Sequence, residues 1–399
     1  MNGVPPLPPI EGLTTDPGVA SPEGLGLVMG GGGARAAYQV GFLRHVAREF
    51  PELAIPYITG VSAGAINAAL LASHHGTLVQ ATQELNQLWG NLTVGDVFRV
   101  DTRSLLWNLL KWVRQLVSGG LGAGPSTVRG LVNTQPLRNY LTDILHPVGG
   151  ELTGIQYNIE RGRLRAVAIS TSSYSTGQSV TWIQGQDIKE WERPHRRARN
   201  TKLTVEHIMA SAALPLLFPA VKIRNRWYGD GGVRLTAPLS PVLHLGARRI
   251  LAISTRYERS DAEADAPSIQ GYPPPAQVMG VLLNSIFLDL LDADALRLDR
   301  INRLIEHLPE CERDGLRKVK LLTLRPSVDL GILAREHEAR LPRGFRFLTR
   351  GLGTRETRSP DFLSLILFQP DYLHSLMDLG EADAMAQSEE IGRFLRDED

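Results

Sequence analysis

Residues Leu27–Val46 read LVMGGGGARAAYQVGFLRHV. Gly24–Met29 is an apolar run of strand length, and four glycines follow at Gly30–Gly33. Val40, Leu43, Ala47 and Phe50 then recur at helical spacing, so Ala34–Phe50 predicts a helix with one core face. Beyond it, Ile55–Thr59 reads as a second short strand ending in Gly60. Ala63–His74 is apolar nearly all round, the mark of a buried helix. Strand, loop, helix, strand, turn, helix is the alternation of a mainly parallel sheet covered on both faces. The expected fold class is α/β.

Working outward, Thr77–Trp89 and Ser104–Val117 read as helices, and the glycine-rich Ser118–Gly130 between later elements reads as a mobile loop. Leu164–Thr171 and Ser179–Ile183 alternate as strands do. Arg193–Asn200 (RPHRRARN) is a basic run with two readings, a solvated loop or a contact for anionic lipid. Val205–Ala213 is a short helix. Ala220–Ile223 and Arg226–Gly229 form a predicted hairpin feeding Asp230-Gly231-Gly232, and Arg249–Ser254 and Val319–Leu324 are further strands. The last third is mainly helical, notably Gln277–Leu291 and Pro370–Leu395. Residues 1–23 hold six prolines and predict an extended arm. The expected organisation is an arm over 1–23, a catalytic domain over 24–260, and a mainly helical region over 261–399 packed on it.

Composition narrows the function classes. In 399 residues, 43 Lys and Arg face 42 Asp and Glu, a net charge of +1. That balance argues against nucleic acid as the main partner, because a phosphate field calls for a basic excess. A single cysteine, Cys311, forms no internal disulfide and builds no thiolate cluster, which fits a reducing compartment. No secretion signal or membrane-spanning run is visible, so a cytoplasmic chain is expected, with contact at a membrane surface left open. Leu105–Val117, with Trp107 and Trp112 beside Lys111 and Arg114, has the make-up either of a lid or interfacial helix or of a buried one.

Three motifs carry chemistry. In Gly60-Val61-Ser62-Ala63-Gly64, small neighbours allow a sharp strand-to-helix turn that presents the Ser62 hydroxyl at a helix N-terminus. Chance alone yields about 0.2 such matches over this composition, so the flanking strand and helix are what give the match weight. Gly30–Gly33 followed by Ala34-Arg35 lies in the same kind of junction and can turn several backbone N–H groups toward one anion. Nucleotide binding is the rival reading of this loop. It requires an acidic residue at the end of the next strand, where Gly60 stands beside Ser62, and no Gly-Lys-Ser/Thr follows. Asp230-Gly231-Gly232 is a turn signal on its own, and it gains meaning because a serine nucleophile needs a proton acceptor. None of the ten histidines stands in a triad context; His244 is the best placed of them.

LVMGGGGARAAYQVGFLRHV, GVSAG, ASAALPLLFPAV and YGDGGVRLTAPL, in that order, resemble the patatin-like phospholipase family from Leu25 to about Pro241. The resemblance implies a three-layer α/β/α fold with a mainly parallel central sheet and a Ser-Asp dyad with no catalytic histidine. Position by position, Ser62 matches the nucleophile and Asp230 the proton acceptor. Gly31, Gly32 and Gly33 match the oxyanion loop, and Arg35 its basic residue. Gly60 and Gly64 flank the nucleophile, and Gly231 and Gly232 complete the acidic motif. Ala36 replaces the family's usual glycine and would be strained if its φ were positive. Asp361–Ala384 resembles the tail of bacterial-type members, where it packs as helices on the catalytic layer, with Leu376, Leu379 and Ala382 as an expected apolar stripe.

The implied activity is hydrolysis of a lipid acyl ester through an acyl-enzyme, with no metal and no cofactor. Two other functions share the same residues: transfer of the acyl chain to an alcohol, and an inert lipid-binding or scaffold protein. Burial would raise the Asp230 pKa and make it a better base; Leu214–Ala220 and Trp227 read either as the walls that bury it or as ordinary core.

Overall fold

The computed structural model describes residues 24–99, 130–260, 263, 265, 272–287, 289–313, 315–341 and 361–398. The arm over 1–23, the Ser104–Val117 helix and residues 118–129 of the expected loop lie outside them.

The chain is α/β. Leu25–Met29 (β1), Tyr57–Val61 (β2), Ala166–Ser173 (β3), Ser179–Gly185 (β4), Glu192–Arg193 (β5), Arg196–Asn200 (β6), Val221–Ile223 (β7), Arg226–Asp230 (β8), Arg249–Ile253 (β9) and Lys320–Leu324 (β10) form one sheet. Its order is β10-β9-β1-β2-β3-β4-β6-β5, with β8 paired to β3 and to β7. β10, β9, β1, β2 and β3 run parallel, as does β6 beside β4, whereas β3 and β4 are antiparallel.

Alternation along the strands separates two apolar faces. Leu27, Met29, Leu251 and Ile253 point into the larger core, while Val28, Ile250 and Ala252 point into a smaller one. The larger face is covered by helices Ala37–Glu49 (α1), Ala63–Ser73 (α2) and Leu78–Asn91 (α3), and by Pro370–Ala386. The smaller face is covered by Ser240–Leu245 and Leu290–Glu306, which makes three layers.

Two glycines set the closest helix pair. A Cβ on Gly41 would overlap the Met377 carbonyl, and one on Gly380 the Tyr38 carbonyl, so α1 and Pro370–Ala386 touch backbone to backbone. The buried stripe of that helix therefore runs through Tyr372, Leu373, Leu376, Met377, Gly380 and Ala384. Leu379 is half-buried and Ala382 is exposed, against the expected stripe, because glycine and the buried Asp383 supply its continuation. The segment beyond residue 260 also contributes β10 to the sheet.

Other elements differ in detail from their sequence reading. β2 begins after Pro56 and runs to Val61, so Gly60 lies inside the strand and Ser62 directly follows it. The Gln277–Leu291 helix ends at Phe287, and a second helix starts at Leu290. Pro370–Leu395 is broken at Gln387, whose φ of −106° and ψ of 15° leave the helix. Arg193–Asn200 is not a loop. It turns at Pro194-His195 between β5 and β6, and β6 pairs with β4 on its other side, with only Ala198 fully buried, and that sparse burial hides the strand from sequence alternation.

Candidate active site

Sheet register brings the two motifs together. β2 ends with Val61 opposite Ser170 of β3, and the next residue of β3, Thr171, pairs with Asp230 of β8. β8 thus takes the place beside β3 where β2 stops. Ser62 and Asp230, far apart in sequence, meet at that junction.

Ser62 sits at φ 56° and ψ −132°, at the N-cap of α2. This left-handed backbone is costly for any residue with a Cβ and is held by the surrounding packing. A Cβ on Gly60 would lie 2.6 Å from the Gly64 carbonyl oxygen, and one on Gly64 would overlap the carbonyls of Met29 and Gly30, so neither position accepts a larger residue. The Ser62 N–H donates to Ser211 Oγ at 2.9 Å, and Ser211 Oγ donates to the Ser170 carbonyl at 2.7 Å. Ser211 is a clamp on the turn that sequence reading did not single out.

The Ser62 hydroxyl donates to Asp230 Oδ2 at 2.6 Å. Asp230 Oδ1 accepts from the Gly232 N–H at 2.9 Å, which fixes the carboxyl plane. Ser62 is 3% exposed and Asp230 0%. Burial pushes the Asp230 pKa up from 3.8 to about 7, against the lowering effect of the Ser62 and Gly232 hydrogen bonds. Trp227, read either as a wall or as ordinary core, is neither: it is 39% exposed on the outer face of its hairpin. The covering ring is Phe287, against which a Cβ on Gly232 would collide.

The glycine loop lies against the serine. A Cβ on Gly31 would stand 3.0 Å from Ser62 Cβ and 3.6 Å from its Oγ. Gly32 and Gly33 have φ of 142° and 54°, conformations that glycine adopts freely. Ala36 has φ −65° and is helical, so its methyl group brings no backbone strain. Three side chains unnoticed in the sequence hold the loop. Thr255 Oγ1 donates to the Gly31 carbonyl at 2.9 Å and Gln39 Nε2 to the Gly30 carbonyl at 2.9 Å. Asn67 donates to Gln39 Oε1 at 3.0 Å and accepts from Trp89 Nε1 at 2.7 Å.

Arg35 is 3% exposed and turns away from solvent. Its Nη2 meets Asp361 Oδ1 at 2.6 Å and its Nε donates to Ser364 Oγ at 2.6 Å. The Asp361–Ile366 helix also presses its Leu365 carbonyl onto Gly33, where a Cβ would overlap it. The loop is therefore braced by the C-terminal helices. Only a residue able to bond both partners from a buried position satisfies that arrangement.

A narrow apolar cavity opens from Ser62 and Gly33 and runs between Ile66, Trp89, Leu137, Leu141, Phe218 and Phe368. Leu214 and Phe218, read either as walls of Asp230 or as ordinary core, line this space. A second narrow cavity lies across the glycine loop, along Gly31, Gly232, Thr255 and Phe287.

His244 is outside the site; it is stacked on Trp191 with ring centroids 4.4 Å apart. His207, buried in its own capping box, has its pKa pushed down by burial to about 4 and is neutral at pH 7. Among the described residues no helix is long and apolar enough to cross a membrane.

The sequence model of one family, patatin-like phospholipase, matches residues 27–243. No curated protein matches the chain. Among solved structures, it is similar to human GIVD cytosolic phospholipase A2 in complex with methyl gamma-linolenyl fluorophosphonate, at 13% identity and a TM-score of 0.42, over 94% of this chain and 58% of that one. It is also similar to VipD from Legionella pneumophila, at 12% identity and a TM-score of 0.34, over 90% of this chain and 67% of that one. The chain thus spans less than two thirds of the length of the human structure.

Proposed function

Because the chain belongs to the patatin-like phospholipase family, we propose that it hydrolyses the acyl ester of a lipid through Ser62 and Asp230. Ser62 Oγ attacks the ester carbonyl carbon as its proton passes to Asp230 Oδ2. The carbonyl oxygen becomes an oxyanion facing the Gly31, Gly32 and Gly33 amides, where each donor is worth ~2.7–4 kcal/mol of barrier. Collapse breaks the bond to the alcohol, which leaves with the proton from Asp230. Water then gives a proton to Asp230 and attacks the acyl-enzyme, and the fatty acid departs as Ser62 recovers its hydrogen.

The observation that carries this reading is the 2.6 Å hydrogen bond between Ser62 Oγ and Asp230 Oδ2. A buried carboxyl with a pKa of about 7 suits the task, since a general base works best near the operating pH. The apolar cavity at Ser62 supports an acyl chain as the group that is held, and it offers few polar partners for a head group.

The test is turnover on a panel of phospholipids, lysophospholipids, triglycerides and p-nitrophenyl esters, with product analysis in the presence and absence of an added alcohol. Free fatty acid from the native chain, and none from Ser62→Ala or Asp230→Asn with unchanged circular dichroism, is the expected result. Full activity in either variant overturns the mechanism.

A further inference from the structure

Four guanidinium groups converge on a pocket at the far edge of the sheet. Val180 pairs with Arg197 and Trp182 with Arg199 where β4 and β6 run parallel, so these side chains share one face. The β7–β8 hairpin stands over that face. Ile223 pairs with Arg226 and Val221 with Tyr228, and Arg224 and Asn225 form the turn, Arg224 at φ 53°. Between the hairpin and β6 lies an open pocket, with Arg197, Arg199, Arg224 and Arg226 around Trp182 and Tyr228. It shares no lining residue with the apolar cavity at Ser62.

The charges there are half compensated. Arg197 pairs with Glu192 at 2.9 Å and Arg199 with Glu190 at 2.5 Å. Among the described residues, neither Arg224 nor Arg226 is within ion-pair distance of a carboxylate. Like charges gathered in one concavity repel, and an anion bound between them relieves that cost. Guanidinium forks match the oxygens of a phosphate two at a time.

We propose that this pocket between β6 and the β7–β8 hairpin binds a phosphate group, with Arg224 and Arg226 as its main contacts. Two uncompensated positive charges match a phosphate monoester dianion. The group comes either from an anionic lipid head group or from a soluble phosphate. The proposal does not depend on Ser62 chemistry, because it is read by binding and not by turnover.

The experiment uses the full chain in two arms. In one, thermal unfolding is followed with inorganic phosphate against chloride at equal ionic strength. In the other, the chain is sedimented with vesicles of phosphatidylcholine alone or mixed with phosphatidic acid. The native chain should be stabilised by phosphate, prefer the anionic vesicles, or do both. Arg224→Gln with Arg226→Gln should lose the effect, by about fivefold in affinity for each charge removed and roughly thirtyfold together. A response to inorganic phosphate alone assigns the site to soluble phosphates, and a response to vesicles assigns it to head groups. Arg161→Gln with Arg300→Gln, which removes the same charge from exposed positions elsewhere, should bind as the native chain does. Turnover of a soluble short-chain ester should persist in the hairpin variant and reports that it is folded. If the double change prevents folding, Arg224→Gln alone carries the test at about fivefold. The proposal fails if neither ligand distinguishes native from hairpin variant, or if the control pair loses as much binding.

Discussion

Replacing Asp230 by asparagine should abolish turnover and stabilise the fold at the same time. Asp230 is 0% exposed, and its folded pKa stands at about 7 against an ordinary value of 3.8. Between those two values the unfolded chain has released the proton while the folded chain still holds it. The native state's advantage from the neutral acid is therefore complete below pH ~4, shrinks as pH rises, and is gone once pH passes about 7. A shift of roughly three units corresponds to at most about 4 kcal/mol. Asparagine keeps the shape, keeps an oxygen for the Gly232 N–H, and never ionises. The difference in stability between Asp230→Asn and the native chain should thus be near zero around pH 4. It should grow through pH ~5–7 and level off above about pH 7 in favour of the variant. Urea unfolding followed by tryptophan fluorescence at several pH values measures it, and subtracting the two curves removes every other titrating group. A variant no more stable than the native chain near pH 8, or a difference that ignores pH, would refute the claim that a buried carboxylate is held there at a cost.

Three further outcomes follow from the packing around the site. Asp361→Ala should strand the Arg35 guanidinium in a buried position, costing about 3–5 kcal/mol; kcat should fall more than KM rises, and Asp361→Glu should recover part of it, as steady-state kinetics will show. Gly380→Val places a side chain on the Tyr38 carbonyl and should prevent α1 from docking, read as loss of cooperative thermal unfolding. Leu141→Trp fills the cavity that starts at Ser62 and should shift ester preference toward short acyl chains by about tenfold or more, measured as kcat/KM over a chain-length series.

Much of the site was readable where glycine is the only residue that fits. Gly60, Gly64, Gly32 and Gly33 stand at positions where a Cβ would collide or the φ is positive, and such constraints leave their mark in the residue identity itself. β1 and α2 were equally plain, because each is a nearly unbroken apolar run buried on all sides. What escaped was the choice of distant partners. Nothing near Arg35 announces Asp361, and nothing near Gln39 announces Asn67 and Trp89. The insertion of β8 beside β3, which brings Asp230 to Ser62, is a matter of register between strands nearly sixty residues apart. Arg196–Asn200 concealed a strand for the opposite reason: with arginines at 196, 197 and 199 and only Ala198 fully buried, it lacks the apolar alternation that marks core strands.

The most direct test of the dyad is the pH dependence of covalent labelling by a fluorophosphonate, with the adduct located by mass spectrometry. A single adduct on Ser62 is predicted, formed at a rate that climbs with pH and flattens above about 7 as Asp230 ionises, and formed far more slowly in Asp230→Asn. An adduct on another residue, or equal labelling of Ser62 with asparagine at 230, would contradict it.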